Sequence, residues 1–207
     1  MTTTECTPQG RVTKSLLGYG IIAGPLYVVV ALAQALTREG FDLTRHQWSM
    51  LANGDLGWIQ VTNFVVAALT TIAAAVGLHR ATGSTWAPRL IAVYGVSLIG
   101  AAVFKADPAM GFPAGTPEGP GAISFHGMMH LVCGMIGFTS LAAACFVIAR
   151  RYAPVFSRAT GVLFLLGFAA VAIGAGAVWA NLAFTAAILL IWTWLAAVCL
   201  HYYRRTV

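Results

Sequence analysis

Six long apolar segments constrain what this chain of 207 residues can fold into. They run over residues 15–37, 58–79, 88–106, 123–149, 159–182 and 184–202. Each is close to the roughly 20 residues with which a helix crosses about 30 Å of hydrocarbon. Charged residues make up only 9% of the chain, against about 25% in soluble proteins. The sequence therefore predicts an all-α integral membrane protein, with a disordered tail over residues 1–14 and one six-transmembrane-helix bundle over residues 15–207.

The distribution of lysine and arginine predicts how this bundle is oriented, because cytoplasmic loops carry an excess of these residues. Of the 12 Lys and Arg residues, nine fall at one end of the predicted bundle: Arg11, Lys14, Arg80, Arg89, Arg150, Arg151, Arg158, Arg204 and Arg205. Both termini are therefore predicted to be cytoplasmic, with long outer loops after helices one and three. The same distribution explains the net charge of +6, so we expect the lipid bilayer and not a nucleic acid as the partner.

The first outer loop, over residues 38–57, is too long for a simple turn. Its middle, residues 43–51, carries apolar side chains at helical spacing beside polar ones. This pattern predicts a short interfacial helix or a re-entrant segment, with Trp48 and Trp58 at the depth of the lipid headgroups.

Two histidines open the fourth apolar segment. His126 and His130 are four residues apart, which places both on one face of a helix with about 6 Å of rise between them. Such a pair can bind a divalent metal ion such as zinc, with Asp107 or Asp55 as a third ligand. The two histidines can instead bind loop carbonyls and hold no metal. Asp107 is predicted to end helix three, because Pro108 follows it and cannot continue a helix.

The N-terminal ends of helices two and four are both predicted at the outer face, where their dipoles favour an anion. Asp55 is placed to cap helix two, and Ser124 is placed to cap helix four. With Arg45, His46 and Lys105 nearby in the same loops, these ends can hold a phosphate or carboxylate headgroup.

Polar residues in the outer halves of helices two and three are predicted to face inward, because a polar side chain in contact with lipid is unfavourable. Gln60 and Asn63 either bond across helices or line a cavity, and Ser97 is placed at the floor of such a cavity. Aromatic residues surround these groups and form either an interfacial belt or an apolar substrate wall. They are Phe41, Trp48, Trp58, Phe104, Phe112, Phe125 and Trp179.

Four patterns give the chain a family resemblance: Arg45-His46-x-x-Ser49, Gly57-Trp58-x-Gln60-x-x-Asn63-Phe64, Phe104-x-x-Asp107-Pro108-x-x-Gly111-Phe112-Pro113 and His126-x-x-x-His130. With these the chain resembles the bacterial domain of unknown function 998 family over most of its length. The resemblance implies a small multi-pass protein of the bacterial cytoplasmic (inner) membrane. The four patterns contain many of the polar residues singled out above, but the resemblance implies no reaction. Lys105 departs from the small or polar residue expected there, which leaves the charge state of Asp107 open.

Two classes of function fit these observations. The first is a membrane enzyme whose outer-face site takes a lipid-like or isoprenoid substrate from the side. Its chemistry would be metal-assisted hydrolysis on the histidine pair or proton-initiated cyclisation with Asp107 or Asp55 as the acid. The predicted catalytic residues are Asp107, His126, His130 and Asp55, and the predicted substrate-binding residues are Arg45, His46, Ser49, Trp58, Gln60, Asn63, Lys105 and Phe112.

The second class is a non-catalytic membrane protein that serves in binding, assembly or sensing. In a sensor, the three histidines of the outer face would titrate between about pH 5 and 8. A transporter is the least favoured class, since the six segments show no inverted repeat.

Overall fold

Six α-helices make up the computed structural model of the chain, which describes residues 7–174 and 176–207. The helices are α1 (Pro8–Thr37), α2 (Gly57–Thr82), α3 (Trp86–Val103), α4 (Phe125–Ile148), α5 (Pro154–Gly174) and α6 (Val178–Arg205), and a 3₁₀ helix (Trp48–Ala52) lies between α1 and α2. All six α-helices are long and apolar enough to cross a membrane. The predicted all-α, six-helix membrane protein is thereby confirmed.

The six helices form a closed ring. Each helix packs against its neighbours in the chain, and α6 packs against α1. Large apolar side chains cover the outside of the ring, among them Val29, Leu69, Val96 and Ile173. In water such a surface would be unfavourable, whereas in a bilayer it is matched by the lipid tails. The arrangement leaves one interior that all six helices share.

The two ends of the ring differ in their connections. At one end, called the loop face below, the long segments 38–56 and 104–124 contact each other and the start of α6. At the opposite end, Arg80 donates to Thr13 and Arg151 donates to the carbonyl of Thr82. The ammonium of Lys14 also lies 5.8 Å from the centre of the Tyr203 ring. Both described chain ends therefore lie at this second end.

Helix α1 begins earlier than the sequence predicts. Pro8 occupies its first turn, and the hydroxyl of Thr7 accepts a hydrogen bond from the N–H of Gly10 at 3.0 Å. These are favourable residues for a helix start. The predicted disordered tail over residues 1–14 is therefore wrong for residues 8–14, while residues 1–6 lie outside the described part of the chain.

Two other helix boundaries also differ from the prediction. Helix α3 ends at Val103 and its cap, Phe104, is extended, so Lys105 and Asp107 belong to the following loop. The fifth apolar segment was expected to continue to residue 182, but α5 ends at Gly174 and α6 begins at Val178. Gly176 has a φ of 88° there, a conformation that glycine adopts at little cost. The sequence signal for this turn is therefore the pair Gly174 and Gly176, which lies within an otherwise continuous apolar segment.

Close packing at one glycine positions an important side chain of the interior. A Cβ atom on Gly24 of α1 would come within 2.9 Å of the Cβ of Trp192 on α6. The absence of a side chain therefore lets the two helices approach and fixes the Trp192 indole against the ring interior.

Candidate functional site

The shared interior of the ring contains a cavity of about 180 Å³. Side chains from all six α-helices line it, together with the segment that leads into the 3₁₀ helix. Eight of the lining residues are aromatic: Tyr27, Trp48, Phe64, Tyr94, Phe138, Phe168, Phe184 and Trp192. A concave, mainly apolar site with a few polar groups is the usual form of a small-molecule site.

The aromatic rings of this wall pack on one another in two groups. Tyr27 is the centre of the first, with ring centroids 6.0 Å from Trp48, 6.1 Å from Phe64 and 5.4 Å from Trp192. Phe138 is the centre of the second, 5.0 Å from Phe168 and 5.6 Å from Phe184. These separations lie in the range in which aromatic pairs attract, so the wall is held in place by its own contacts.

The cavity reaches the outside of the bundle along α4. Leu131 lines it and is also 57% exposed. One turn further along, a Cβ atom on Gly134 would meet only the Phe138 ring, at 3.8 Å. There is therefore open space beside this part of α4, at the height of the cavity and on the surface that a bilayer would cover.

Among the described residues that line the cavity, none is Asp, Glu, Lys or Arg. Its hydrophilic side chains include Gln47, Ser49, Ser97 and His130. Ser97 is used locally, because its hydroxyl donates to the carbonyl of Tyr94 at 2.7 Å. Three polar residues singled out in the sequence thus lie on this wall: Ser49, predicted to bind substrate, Ser97, predicted at the cavity floor, and His130, predicted to be catalytic.

His130 is the histidine that faces the cavity. Its Nδ1 lies 2.8 Å from the carbonyl oxygen of Phe104, and since a carbonyl can only accept, Nδ1 carries the proton. In the neutral ring Nε2 is then the nitrogen that accepts a proton. The imidazole also packs near Phe64, with 6.4 Å between ring centroids. Among the described lining residues, His130 is therefore the one whose neutral side chain has a nitrogen that can accept a proton.

The loop face closes the cavity with a cap formed by the segments 38–56 and 104–124, called the loop cap below. Arg38 fixes it by donating to the carbonyls of Leu51 and Asn53, both at 2.6 Å. Asn53 in turn donates to the carbonyl of Ala106 at 3.0 Å. The 3₁₀ helix is therefore held inside the bundle end. Trp48 is only 6% exposed, so it packs inside the protein and does not itself face the lipid headgroups.

His46, predicted to bind substrate, joins the two segments of the loop cap. Its Nδ1 accepts the N–H of Asp42 at 2.9 Å, so Nε2 donates to the carbonyl of Met110 at 3.0 Å. The ring is 2% exposed and lies between Phe41 and Phe112, with centroids 5.2 Å and 5.5 Å away. Both ring nitrogens are satisfied by the backbone, and the residue is not on the cavity wall.

Phe112, another predicted substrate-binding residue, is buried within the same cap. The guanidinium carbon of Arg38 lies 5.0 Å from the centre of its ring, and Phe41 packs on its edge at 5.1 Å. The cation and both rings thus brace the junction of the two segments. Phe112 supports the cap and does not reach the cavity.

Asp107 caps helix α4. Its Oδ2 accepts the N–H of Ser124 at 2.8 Å and its Oδ1 accepts the Ser124 hydroxyl at 2.5 Å, while that hydroxyl accepts the N–H of Gly127 at 3.1 Å. The predicted cap by Ser124 is therefore present, with Asp107 extending it. The carboxylate is not on the cavity wall.

The predicted histidine pair is divided by its environment. His126 is exposed and packs against Phe104, with 5.7 Å between ring centroids, whereas His130 faces the cavity. Within residues 7–174 and 176–207, no group of three His, Cys, Asp or Glu side chains is arranged to hold a metal ion. The set of His126, His130 and Asp107 proposed for zinc is therefore not brought together.

The charged residues predicted for an anion site lie away from the cavity. Asp55 is exposed and does not cap α2, whose cap residue, Leu56, makes no side-chain hydrogen bond. Arg45 is engaged in an ion pair with Glu118. Lys105 is exposed on the loop. None of the three lines the cavity.

Gln60 and Asn63 bond across helices, which was the first of their two predicted roles. Gln60 Oε1 accepts from Gln34 at 2.9 Å and from Asn63 at 3.2 Å, and Asn63 also donates to the Tyr27 carbonyl at 3.1 Å. This buried network joins α1 to α2 and includes the backbone of Tyr27. Trp58 is 64% exposed on the outer surface of α2 and lies outside both the network and the cavity wall.

Sequence reasoning missed most of the cavity wall and one anchor of the loop cap. The missed aromatic residues include Tyr27, Tyr94, Phe138 and Trp192, which sit singly in different apolar segments. The missed anchor is Asn181, which lies within the predicted fifth apolar segment and whose side chain donates to the carbonyls of Leu43 at 2.6 Å and His46 at 3.1 Å. A lone asparagine within an apolar helix was the available signal, because such a group needs a buried partner.

A family model described as Protein of unknown function (DUF998) matches residues 21–201. Every residue on the cavity wall lies within this range. No curated protein and no solved structure matches the chain.

Proposed function

The chain belongs to the family described as Protein of unknown function (DUF998), and we propose that it binds one lipid-like or isoprenoid molecule in the cavity between its six helices. The observation that carries this proposal is the aromatic wall, to which every helix contributes. An apolar group in such a cavity makes van der Waals contacts with several aromatic rings, which favours its binding.

The size of the cavity limits which part of the ligand it holds. A cavity of about 150 Å³ accommodates a molecule of the size of benzene, and this one measures about 180 Å³. It therefore suits one ring or a short branched segment. A longer chain would leave beside Leu131 and Gly134, where the cavity reaches the lipid-facing surface of α4. Entry from the bilayer would need no opening of the loop cap.

The site is proposed to lie in the outer half of a bacterial cytoplasmic membrane. Most of the lysines and arginines lie at the end opposite to the loop face, and basic loops are retained in the cytoplasm. The loop cap would then face the extracytoplasmic side, with both termini in the cytoplasm.

A cavity-filling substitution tests the proposal. Gly134→Leu places a branched side chain where the structure has open space beside Phe138. The matched control is Gly18→Leu on α1, where an added Cβ meets no atom within 4 Å and which does not line the cavity. Binding of a photostable isoprenoid alcohol, measured by native mass spectrometry of the full chain, should fall at least tenfold in the first variant and stay unchanged in the second. Equal binding by both variants would contradict the proposal.

Catalysis on the bound molecule is the second candidate function, and His130 favours it. The Phe104 carbonyl fixes the imidazole with Nδ1 protonated, which is how enzymes orient a histidine base. His130 is the acid–base group nearest to such a role, since Asp107 and Asp55 do not line the cavity. Incubation of reconstituted protein with isoprenoid alcohols, followed by mass spectrometry of the extracted lipids, separates the candidates. A product that is lost in His130→Gln supports catalysis, and unchanged lipid with retained binding supports binding alone.

A further inference from the structure

A second cavity, of about 260 Å³, lies at the end of the bundle opposite to the loop face, between the segment that joins α4 to α5 and the last turns of α6. None of the described residues that line it also lines the aromatic cavity. We propose that this second cavity, called the arginine cavity below, binds the phosphate group of one anionic membrane phospholipid. Its lining residues are Tyr152, Ala197, Leu200, His201, Arg204 and Arg205.

The lining residues of α6 are ordered along one face of that helix. Ala197, His201 and Arg204 follow one another at spacings of four and three residues, and about 10 Å of axial rise separates the first from the last. Ala197 and Leu200 are apolar, whereas Arg204 and Arg205 belong to the last turn of the helix. The cavity therefore changes from apolar to cationic towards the end of the bundle. A phospholipid has the same order, with its acyl chains in the bilayer core and its phosphate at the bilayer surface.

The two sides of the arginine cavity are joined by buried hydrogen bonds. The indole N–H of Trp194 on α6 donates to the hydroxyl of Ser157 on α5 at 3.1 Å, and this hydroxyl donates to the carbonyl of Tyr152 at 3.0 Å. Trp194 and Ser157 are fully buried. The Tyr152 ring then packs on the His201 ring, with 4.6 Å between centroids. The turn before α5 is thus tied to α6, so the cavity between them is part of the fold.

Charge favours an anion in this cavity. Among the described residues the single ion pair joins Arg45 to Glu118, so no described carboxylate is paired with Arg204 or Arg205. Five of the six acidic residues of the chain belong to the loop cap, at the opposite end of the bundle, and the sixth, Glu5, lies outside the described residues. The N–H groups of an arginine match the oxygens of a phosphate. Two full positive charges also outweigh the partial negative charge at the C-terminal end of α6.

The position of the cavity favours a lipid over a soluble anion. Helix α6 is long and apolar enough to cross a membrane, which places the arginines of its last turn near the bilayer surface. Basic pockets between transmembrane helices at this depth bind anionic headgroups. A lipid would also place hydrocarbon against Ala197 and Leu200, which inorganic phosphate cannot do.

Two lipids with identical acyl chains test the inference on the unmodified chain. Phosphatidylglycerol has a net negative charge, and phosphatidylcholine has none. Each is titrated into the full chain in detergent, and the first bound lipid is measured by native mass spectrometry. Because one arginine near a lipid surface favours an anionic lipid about fivefold, phosphatidylglycerol should bind roughly tenfold more tightly or better. Inorganic phosphate, titrated in the same way, should bind far more weakly than phosphatidylglycerol.

Substitutions then locate the site. The double variant Arg204→Gln with Arg205→Gln should lose the preference for phosphatidylglycerol. The matched control is Arg150→Gln with Arg158→Gln, which removes the same charge from the same end, at exposed positions that do not line the cavity, and it should keep the preference. Ala197→Leu fills the apolar part without a change of charge and should weaken the binding of phosphatidylglycerol at least threefold. Thermal unfolding of each variant shows that it is folded.

Four results would overturn the inference. They are equal affinity for both lipids, equal loss of preference in the two double variants, unchanged binding in Ala197→Leu, and inorganic phosphate that binds as tightly as phosphatidylglycerol. The second of these would assign the lipid binding to diffuse surface charge, and the last would assign the cavity to a soluble anion. The proposed function would stand in every case, because isoprenoid binding is tested in a different cavity with Gly134→Leu.

Discussion

The carboxylate of Asp107 holds Ser124 by both of its oxygens, at 2.8 Å from the N–H and 2.5 Å from the hydroxyl. Through Ser124 it binds the first turn of α4, where the helix dipole stabilises a negative charge. Asp107, which the sequence predicts to be catalytic, is thus part of the cap of α4 and does not line the aromatic cavity.

Substitution of Asp107 should therefore affect stability more than binding. Asp107→Ala removes two acceptors from the start of α4 and should lower the free energy of unfolding by about 1–2 kcal/mol. The matched control is Asp55→Ala, since Asp55 is exposed and caps nothing. Thermal unfolding in detergent and ligand affinity are measured together. Lost affinity with unchanged stability would place Asp107 in the site after all.

The two histidines of α4 should behave differently. His130→Ala leaves the Phe104 carbonyl without its partner and removes part of the cavity wall, so it should lower stability by about 1–3 kcal/mol and weaken ligand binding. His126→Ala alters an exposed ring and should change neither quantity. If the two histidines bound one metal ion, both variants would lose metal content and binding together, which calorimetry and elemental analysis would detect.

The difference between these histidines shows where sequence reasoning ends. The spacing of His126 and His130 correctly places them on one helical face, but their separation along the axis puts one beside the loop and the other beside the cavity. Which of them meets the interior depends on how α4 packs, and no local pattern encodes it. The position of His46 is still harder to predict from sequence, because its ring is held by Met110, which lies 64 residues further along the chain.

Arg38 should control the rigidity of the loop cap. Its guanidinium donates to two carbonyls in different directions and packs over Phe112, which a lysine cannot reproduce. Arg38→Lys should speed amide hydrogen exchange in Trp48–Ala52 roughly tenfold. Arg45→Lys, in an exposed ion pair, is the control and should have little effect. Equal exchange in both variants would show that other contacts hold the cap.

Acid should weaken one turn of the loop cap. Hydrogen bonds from the Thr44 hydroxyl and N–H lower the pKa of Asp42 below its usual 3.8. Because the folded-state pKa is the lower one, the stabilisation is complete above the unfolded-state pKa and is lost as the pH falls through the folded-state pKa. Asp42→Asn should therefore be slightly less stable than the unmodified chain at about pH 6, and this difference should shrink as the pH falls below 3.8, as seen in parallel denaturant titrations. A constant difference would exclude this titration.

The six-helix fold could be predicted because each segment carries its own signal in length and apolar content. The cavity could not, since its wall takes single residues such as Tyr27, Tyr94 and Trp192 from different helices. Each of them looks like an ordinary apolar residue of its segment. Only the closure of α6 on α1 brings Trp192 against Tyr27 and shows that these rings share one space.

Photolabelling tests the central claim most directly. A diazirine-bearing isoprenoid alcohol is irradiated with the full chain in nanodiscs, and the labelled residues are mapped by mass spectrometry. Labelling should concentrate on cavity residues such as Leu131, Phe138 and Phe184, and it should be lost in Gly134→Leu. Labels confined to outward-facing residues such as Val29 and Leu69, with no effect of Gly134→Leu, would contradict the account.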